Sequence, residues 1–336
     1  MPRIAHVISE VGRHGGAAAI VRALSRAAGE RGWEQVVLNP FAADGGGLAD
    51  YFEGVPYDAL PPHRTSALPR NRRWLRSRFR EFGPDVVHVH LVHAMFAVAS
   101  LQPSEDTVRV LTHHHSRYLI RHRRPVAARL ERLAGRRFDC VVAPSESVLR
   151  FLVDEYRLPR VTCIPNGWSG TPLLGAPKAD RPTVVCSAHF RPVKRHRLLL
   201  EAFREVREAL PEARLALLGD GPLRSELRVL AAALGIDDAV EFPGSVDVWP
   251  WLAGAHAFAL ASEYEGSPVA VLEAMAAGLP VVAFDVPGIR DVVRPGITGY
   301  LAGGDDGAEL AQHLITLLRD RGLRERMGDA ARREAE

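Results

Sequence analysis

The chain holds 336 residues, too many for one ordinary α/β domain and suited to two of about 150 each. Hydrophobic residues make up 47%, enough for two full cores, and no run of 18 or more apolar residues is present to cross a membrane as a helix. Net charge is only +3 but uneven: residues 1–172 hold 24 Arg, no Lys and 16 acids (+8), and the remainder holds 19 basic and 24 acidic residues (−5), which turns the first half toward an anionic acceptor, a membrane surface or nucleic acid.

The amino terminus, MPRIAHVIS, reads as a strand, Arg3–Ile8, rather than a secretory leader. Gly12-Arg13-His14-Gly15-Gly16 follows it and opens a helix over Ala17–Ala28. These glycines do not form a dinucleotide fingerprint, and two readings stay open for them: a tight turn, or backbone amides close to a phosphate or sugar. After the strand Gln35–Asn39 comes an Arg-rich run from Arg64 to Arg80, in which Trp74, Leu75, Phe79 and Phe82 are spaced for a core.

Strands then fall at Asp85–His90 and Val108–Thr112, each ending in histidines: His88, His90 and His93, then His113, His114 and His115. His88 and His90 share a strand face, but no carboxylate nearby completes a ligand set, so no metal is expected and a substrate contact after Thr112 is the better use. A helix over Val126–Arg136 lies in a second Arg-rich run, Arg117 to Arg137. Such runs read either as solvated faces or as peripheral contacts with anionic lipid; no nucleic-acid recognition motif accompanies them. The half closes with the strand Cys140–Ala143, the helix Ser145–Glu155 and the strand Val161–Ile164.

Gly167–Pro182, rich in Gly and Pro, reads as the linker. Domains are expected over residues 1–170 and 171–318, with a C-terminal helix over 319–336. The second half repeats the alternation, with strands Thr183–Ser187, Arg214–Leu218, Val240–Phe242, Ala257–Ala261 and Pro280–Phe284 and helices Lys194–Ala209, Leu223–Leu234 and Gly307–Arg319. Alternating elements of this kind build parallel sheets with right-handed crossovers, so two doubly wound domains are expected, their ligands at the carboxyl ends of the strands and the active site in the cleft between them. Cys140, Cys163 and Cys186 stand alone in strand-like runs and read as buried thiols of a reducing cytoplasm.

Only Lys178 and Lys194 break an otherwise all-arginine basic set. Lys178 lies in the linker. Lys194 stands at a helix start, where the dipole disfavours a cation unless an anion is bound, and its compact ammonium suits a phosphate oxygen. Turns at Gly219-Asp220-Gly221-Pro222 and at Gly244-Ser245 close two strands where a base could lie against backbone. Glu273 is the only ionisable residue between Gly266 and Phe284, inside an apolar helical run, where a carboxylate needs an outside partner. Glu265 precedes it, followed by Gly266, by Ser267 as N-cap and by Pro268 as first helical residue. Glu273 then lies about 7.5 Å along the axis. Two acids flanking a helix N-terminus suit a phosphate bracketed by hydroxylated groups, which is the order found in a nucleotide sugar.

These residues together resemble the family 4 retaining glycosyltransferases of GT-B fold. The resemblance runs from Gly15-Gly16 through Thr112–His114, Ile164–Gly167, Lys194, Gly219–Pro222 and the segment EGSPVAVLEAMAAGLPVVA from Glu265, to Pro287–Leu301. It implies two Rossmann-like domains facing a deep cleft, the first binding acceptor and the second the nucleotide sugar. It implies that Glu265 holds a donor-sugar hydroxyl, Glu273 the ribose hydroxyls and Lys194 the diphosphate, with backbone groups from Gly266, Ser267, Val269 and Gly16, and with His114 near the reacting face. It also implies retention of anomeric configuration without a metal or other cofactor, the NDP-sugar (UDP before GDP) being a co-substrate; the cysteines place the enzyme in the cytoplasm, and the Arg-rich runs alone offer a peripheral contact with the inner membrane face as an alternative to solvated faces. Three departures stand out: His189 where the family has Arg, with Arg191 as the nearest substitute; Ser169 in place of an acid; and an end at Glu336 where the family continues through a helix returning to the first domain. The first and third motivate one alternative, a non-catalytic nucleotide-sugar-binding subunit; an epimerase or hydrolase on the same scaffold is the other.

Overall fold

The computed structural model describes residues 1–9, 16–41, 49–52, 54–60, 68–114, 125–304 and 306–336. Every apolar run read as a strand enters a sheet, with ends moved by a residue or two, and all the pairings between these strands are parallel. The chain divides into Met1–Asn166 and Gly167–Glu336. The break falls earlier than residue 170 because Trp168 packs on Trp249, ring centroids 5.6 Å apart, and donates its indole N–H to the Ala335 carbonyl at 2.9 Å. The terminal helix belongs to this second unit too.

In the first unit the strands are β1 (Arg3–Ile8), β2 (Glu34–Asn39), β3 (Tyr57–Ala59), β4 (Val86–His90), β5 (Val108–Thr112), β6 (Cys140–Ala143) and β7 (Val161–Cys163), in spatial order 3-2-1-4-5-6-7. In the second they are β8 (Thr183–Ser187), β9 (Arg214–Leu218), β10 (Val240–Gly244), β11 (Ala257–Leu260), β12 (Val281–Phe284) and β13 (Gly299–Ala302), in order 10-9-8-11-12-13. Each unit therefore winds outward from its own first strand in both directions, and the reversal lies between β1 and β4 and between β8 and β11. In doubly wound sheets the crevice at that reversal, beyond the carboxyl ends, is where ligands bind.

Both faces of the first sheet are covered: Ala5, Val7, Val36 and Leu38 enter one apolar cluster, while Ile8 and Val37 enter another with Ala18 and Val21 of the helix Gly16–Glu30. Double coverage is what parallel strands require. Two short strands are absent from the sequence reading. Tyr57–Ala59 is three half-buried residues at the sheet edge, and Gly299–Ala302 opens on a glycine whose Cβ would stand 1.9 Å from the Val281 carbonyl oxygen. The helix expected over Ser145–Glu155 starts on a Ser145 cap, then widens into a π turn over Phe151–Glu155. Cys186 is buried, whereas Cys140 and Cys163 are half-buried, and all three are free thiols.

Candidate functional site

At the carboxyl end of β8 the chain forms a 3₁₀ turn, Pro192–Lys194, closed by Arg195 in the left-handed region at φ 49°. The helix follows only at His196, two residues later than the sequence predicts, so Lys194 sits in the turn rather than in the helix. The Glu263 amide donates to the Val193 carbonyl at 2.9 Å, pinning this turn to the loop after β11. That single backbone bond brings the two charges together: Lys194 Nζ donates to Glu265 Oε1 at 2.6 Å, their side chains 24% and 12% exposed. The anion beside Lys194 is Glu265. Ser262, fully buried, donates its hydroxyl to the same oxygen at 2.7 Å. The sequence reading passed over Ser262; its signal was a lone hydroxyl at the end of the apolar run AHAFALAS.

The acidic loop leads into the helix Val269–Ala276. Its cap is Pro268, extended at ψ 104°, not Ser267 as expected, because the Pro268 carbonyl takes the first helical bonds, from Val271 at 3.0 Å and Leu272 at 3.3 Å. The amides of Val269 and Ala270 precede those bonds and so have no partner inside the helix, which leaves the positive end of the dipole facing the acidic loop. Gly266 is buried, and Ser267, Val269 and Glu273 are half-buried, Glu273 on a helix whose Val271, Ala274 and Met275 are fully buried. Beneath this loop runs Gly288 at φ 85°, where a Cβ would meet the carbonyl oxygens of Glu265 at 2.5 Å and Gly266 at 2.7 Å.

Three turns at the ends of β8, β9 and β10 are stitched edge to edge. The Ala188 amide donates to the Leu218 carbonyl, that of Phe190 to Asp220, and that of Gly219 to Gly244 at 2.8 Å. Gly219 at φ 130° and Gly221 at φ 156° leave no space for side chains, their Cβ positions lying 2.2 Å from the Ala188 oxygen and 2.7 Å from the Phe190 oxygen. Gly244 is buried at φ 87° and Ser245 is exposed. The Asp220 carboxyl is held below its usual range by the Gly221 N–H at 2.7 Å and then by Arg224 at 3.1 Å.

His189 is exposed, and its Nδ1 bonds the Asp220 carbonyl. A carbonyl only accepts, so Nδ1 carries the proton and the neutral ring shows a bare lone pair at Nε2; it meets a phosphate productively only as an imidazolium. Arg191 is exposed, its carbonyl accepting from the Lys194 amide at 3.0 Å.

In the first unit, Gly16 is the exposed first residue of its helix, and Gly15 lies outside the described residues, as do Arg13, His14 and His115. His88 and His90 are joined by His6, which the sequence reading did not include: it is the parallel partner of His88 in β1. Burial holds His6 near pKa 4 and keeps His88 and His90 well below the usual imidazole range, so all three are neutral at pH 7. Their ring nitrogens fall within 4.8 Å of one another. His113 faces elsewhere, its Nε2 at 2.8 Å from Glu131, which also accepts from the Tyr156 hydroxyl at 3.0 Å. His114 is half-buried just beyond β5.

Residues 14–169 match the family model described as Glycosyltransferase Family 4, and residues 175–334 match the model described as Glycosyl transferases group 1. Among curated relatives, sulfoquinovosyl transferase of Arabidopsis thaliana is 29% identical over 85% of this chain and 58% of its own length. N-acetyl-alpha-D-glucosaminyl L-malate synthase of Bacillus anthracis is 38% identical over 43% of this chain and 38% of its own length. The chain thus spans less than two thirds of these relatives. Among solved structures, sucrose-phosphate synthase from Thermosynechococcus elongatus superposes with a TM-score of 0.85 at 21% identity, covering 100% of this chain and 94% of that one. Anabaena HepE in complex with UDP and glucose superposes with a TM-score of 0.81 at 19% identity, covering 99% and 94%.

Proposed function

This chain belongs to the family 4 glycosyltransferases, with the GT-B fold, and we propose that it moves a hexosyl group from a UDP-sugar to a hydroxyl acceptor with retention of configuration and without a metal. The observation that carries this reading is the Lys194–Glu265–Ser262 group at the β8/β11 reversal, beside the open amides of the helix that bears Glu273. An incoming diphosphate competes with Glu265 for the Lys194 ammonium and takes the amides of Val269 and Ala270. Ser262 keeps Glu265 aimed while its ammonium partner turns away, leaving Oε2 for a donor-sugar hydroxyl. Glu273, one turn in, receives the ribose hydroxyls. As the bond from the anomeric carbon to the diphosphate oxygen breaks, the acceptor oxygen bonds that carbon from the same side, and its proton passes to a diphosphate oxygen. Lys194 and the helix N-terminus stabilise the leaving charge, the part that a metal plays elsewhere.

The choice of UDP follows the nucleotide named for HepE; GDP is the alternative, and a panel of UDP- and GDP-sugars tests both. A cognate donor at a hundredfold excess over Kd should stabilise the protein by about 2.7 kcal/mol, read as a rise in Tm. Glu273→Ala should abolish that rise and turnover while leaving the ligand-free Tm within a degree or two. Donor binding with no turnover against any acceptor favours the non-catalytic subunit, for which the pinned His189 ring is the motive; release of free sugar or epimer without acceptor favours a hydrolase or epimerase.

We further propose that the first unit rests on an anionic membrane surface. Among the described residues no helix is long and apolar enough to cross a bilayer, and the contact proposed is a peripheral one. The helix Pro125–Gly135 turns its buried side, Glu131 and Ala134, inward and leaves Val126, Leu130 and Leu133 at 71%, 52% and 47% exposure on the outer side. Exposed Arg129, Arg136 and Arg137 flank that stripe, and no acid shares it. Apolar anchors ringed by arginine suit a lipid interface. The protein should sediment with phosphatidylglycerol vesicles at low salt, and Leu130→Glu should lower the partition about tenfold. An unchanged partition would remove this helix from the role.

A further inference from the structure

Three imidazoles meet inside the first unit. His6 on β1 pairs in register with His88 on β4, and His90 follows two residues on, so all three rings lie on one face of the sheet. Ile8 and Val37 share that face and pack on Ala18 and Val21 of the helix Gly16–Glu30, a setting where apolar side chains are the ordinary choice. Ring centroids lie 5.6 Å apart for His6 and His88, 5.9 Å for His6 and His90, and 4.2 Å for His88 and His90. One nitrogen of each ring falls within 4.8 Å of the other two.

Hydrogen bonds leave several of these nitrogens over. His88 Nε2 lies 2.7 Å from the Thr112 hydroxyl, and His90 Nδ1 lies 3.1 Å from His114 Nε2. His90 Nε2 and both nitrogens of His6 are buried without a hydrogen-bond partner. The Gln35 side chain lies beside His6, but its Oε1 is without a partner as well. Stranded nitrogens side by side in the interior are costly, because each has lost water and gained nothing in return. A single ion that all three rings reach at once removes that cost, and imidazole nitrogen suits a first-row transition metal. Metal-bound imidazoles have a partner on the far nitrogen that sets the ring, which is the part played by Thr112 for His88 and by His114 for His90.

We propose that His6, His88 and His90 hold one zinc ion, with water as the fourth ligand, and that the ion ties β1 to β4 at the reversal of the sheet. Two histidines on β4 make no such site by themselves; the third ligand comes from β1. Zinc–nitrogen bonds of about 2.0–2.1 Å place the ligands closer than they stand here, so binding turns the rings inward. His88, half-buried where the other two are buried, leaves a way in. The ion has no part in the transfer proposed above, which stands or falls without it.

The test uses the untagged full chain, stripped with a chelator and dialysed against zinc or cobalt(II). Elemental analysis should return one ion per chain, and zinc should raise Tm. Cobalt(II) should give the visible bands of a four-coordinate site, which zinc then bleaches. His6→Phe keeps a ring of similar shape but no ligand, and should lower zinc affinity by at least about a hundredfold. Thr112→Val, which frees the His88 ring, should lower it about tenfold. X-ray absorption at the zinc edge of the wild type should count three imidazoles, a reading that needs no variant to fold. The proposal is overturned by the absence of a stoichiometric ion, by a Tm indifferent to zinc, by fewer than three imidazoles, or by an affinity unchanged in His6→Phe. Buried water would then be the partner of these nitrogens.

Discussion

Lys194→Ala is expected to reduce kcat by about 10²–10³-fold, the loss seen when one pre-aimed donor to a developing negative charge is removed. The expectation comes from placement: the ammonium lies in a turn tied by the Glu263 amide to the acidic loop, so its position is set before any ligand arrives. Lys194→Arg should recover little, because a planar fork cannot occupy the place of a compact point charge held 2.6 Å from Glu265. Single-turnover rates with the best donor of the panel make the measurement. Activity of Lys194→Ala within threefold of wild type would remove the residue from the leaving-group role. The same change leaves Glu265, 12% exposed, with Ser262 but without its countercharge, and should cost about 1–3 kcal/mol of stability.

Gly219→Ala should be the most damaging single-carbon addition at this site, costing about 2–4 kcal/mol from strained backbone and overpacking together. The residue sits at φ 130°, and the new carbon would lie 2.2 Å from the Ala188 oxygen and 3.0 Å from its carbonyl carbon. Both obstacles are backbone, so neither can swing aside. Ala188 adjoins His189, and the Gly219 amide holds Gly244, so the displacement would spread through all three turns and lower donor affinity as well. Gly235→Ala is the control: its φ of 68° is also positive, with nothing within 4 Å, and only the backbone cost of about 1 kcal/mol should appear. Urea midpoints of the two variants separate strain from collision; equal losses would show that the collision is relieved without cost.

Parallel strands covered on both faces announce themselves as apolar runs, which is why eleven strands were legible while Tyr57–Ala59, a half-buried edge, and Gly299–Ala302, begun by glycine, were not. Lys194, Glu265 and Glu273 stood out because each breaks a compositional rule of its surroundings. Ser262 and Gly288 break none: a serine at a strand end and a glycine after proline are ordinary until coordinates show what lies 2.7 Å from the one and 2.5 Å from the other. His6 was hidden for another reason, since its partnership with His88 spans two strands distant in sequence. The offset of the two helix starts, at His196 and Val269, reflects which carbonyl takes the first turn, a detail set by local ψ rather than by residue type.

The helix Arg321–Ala335 packs against the helix that bears Glu273, and at Gly328 it comes so near that a Cβ there would stand 2.2 Å from the Gly278 oxygen. Bare main chain resting on bare main chain works as a splint: Arg321–Ala335 braces the helix whose Glu273 is proposed to receive ribose. A methyl group added at Gly328 should therefore loosen that brace and weaken nucleotide binding before it disturbs either sheet.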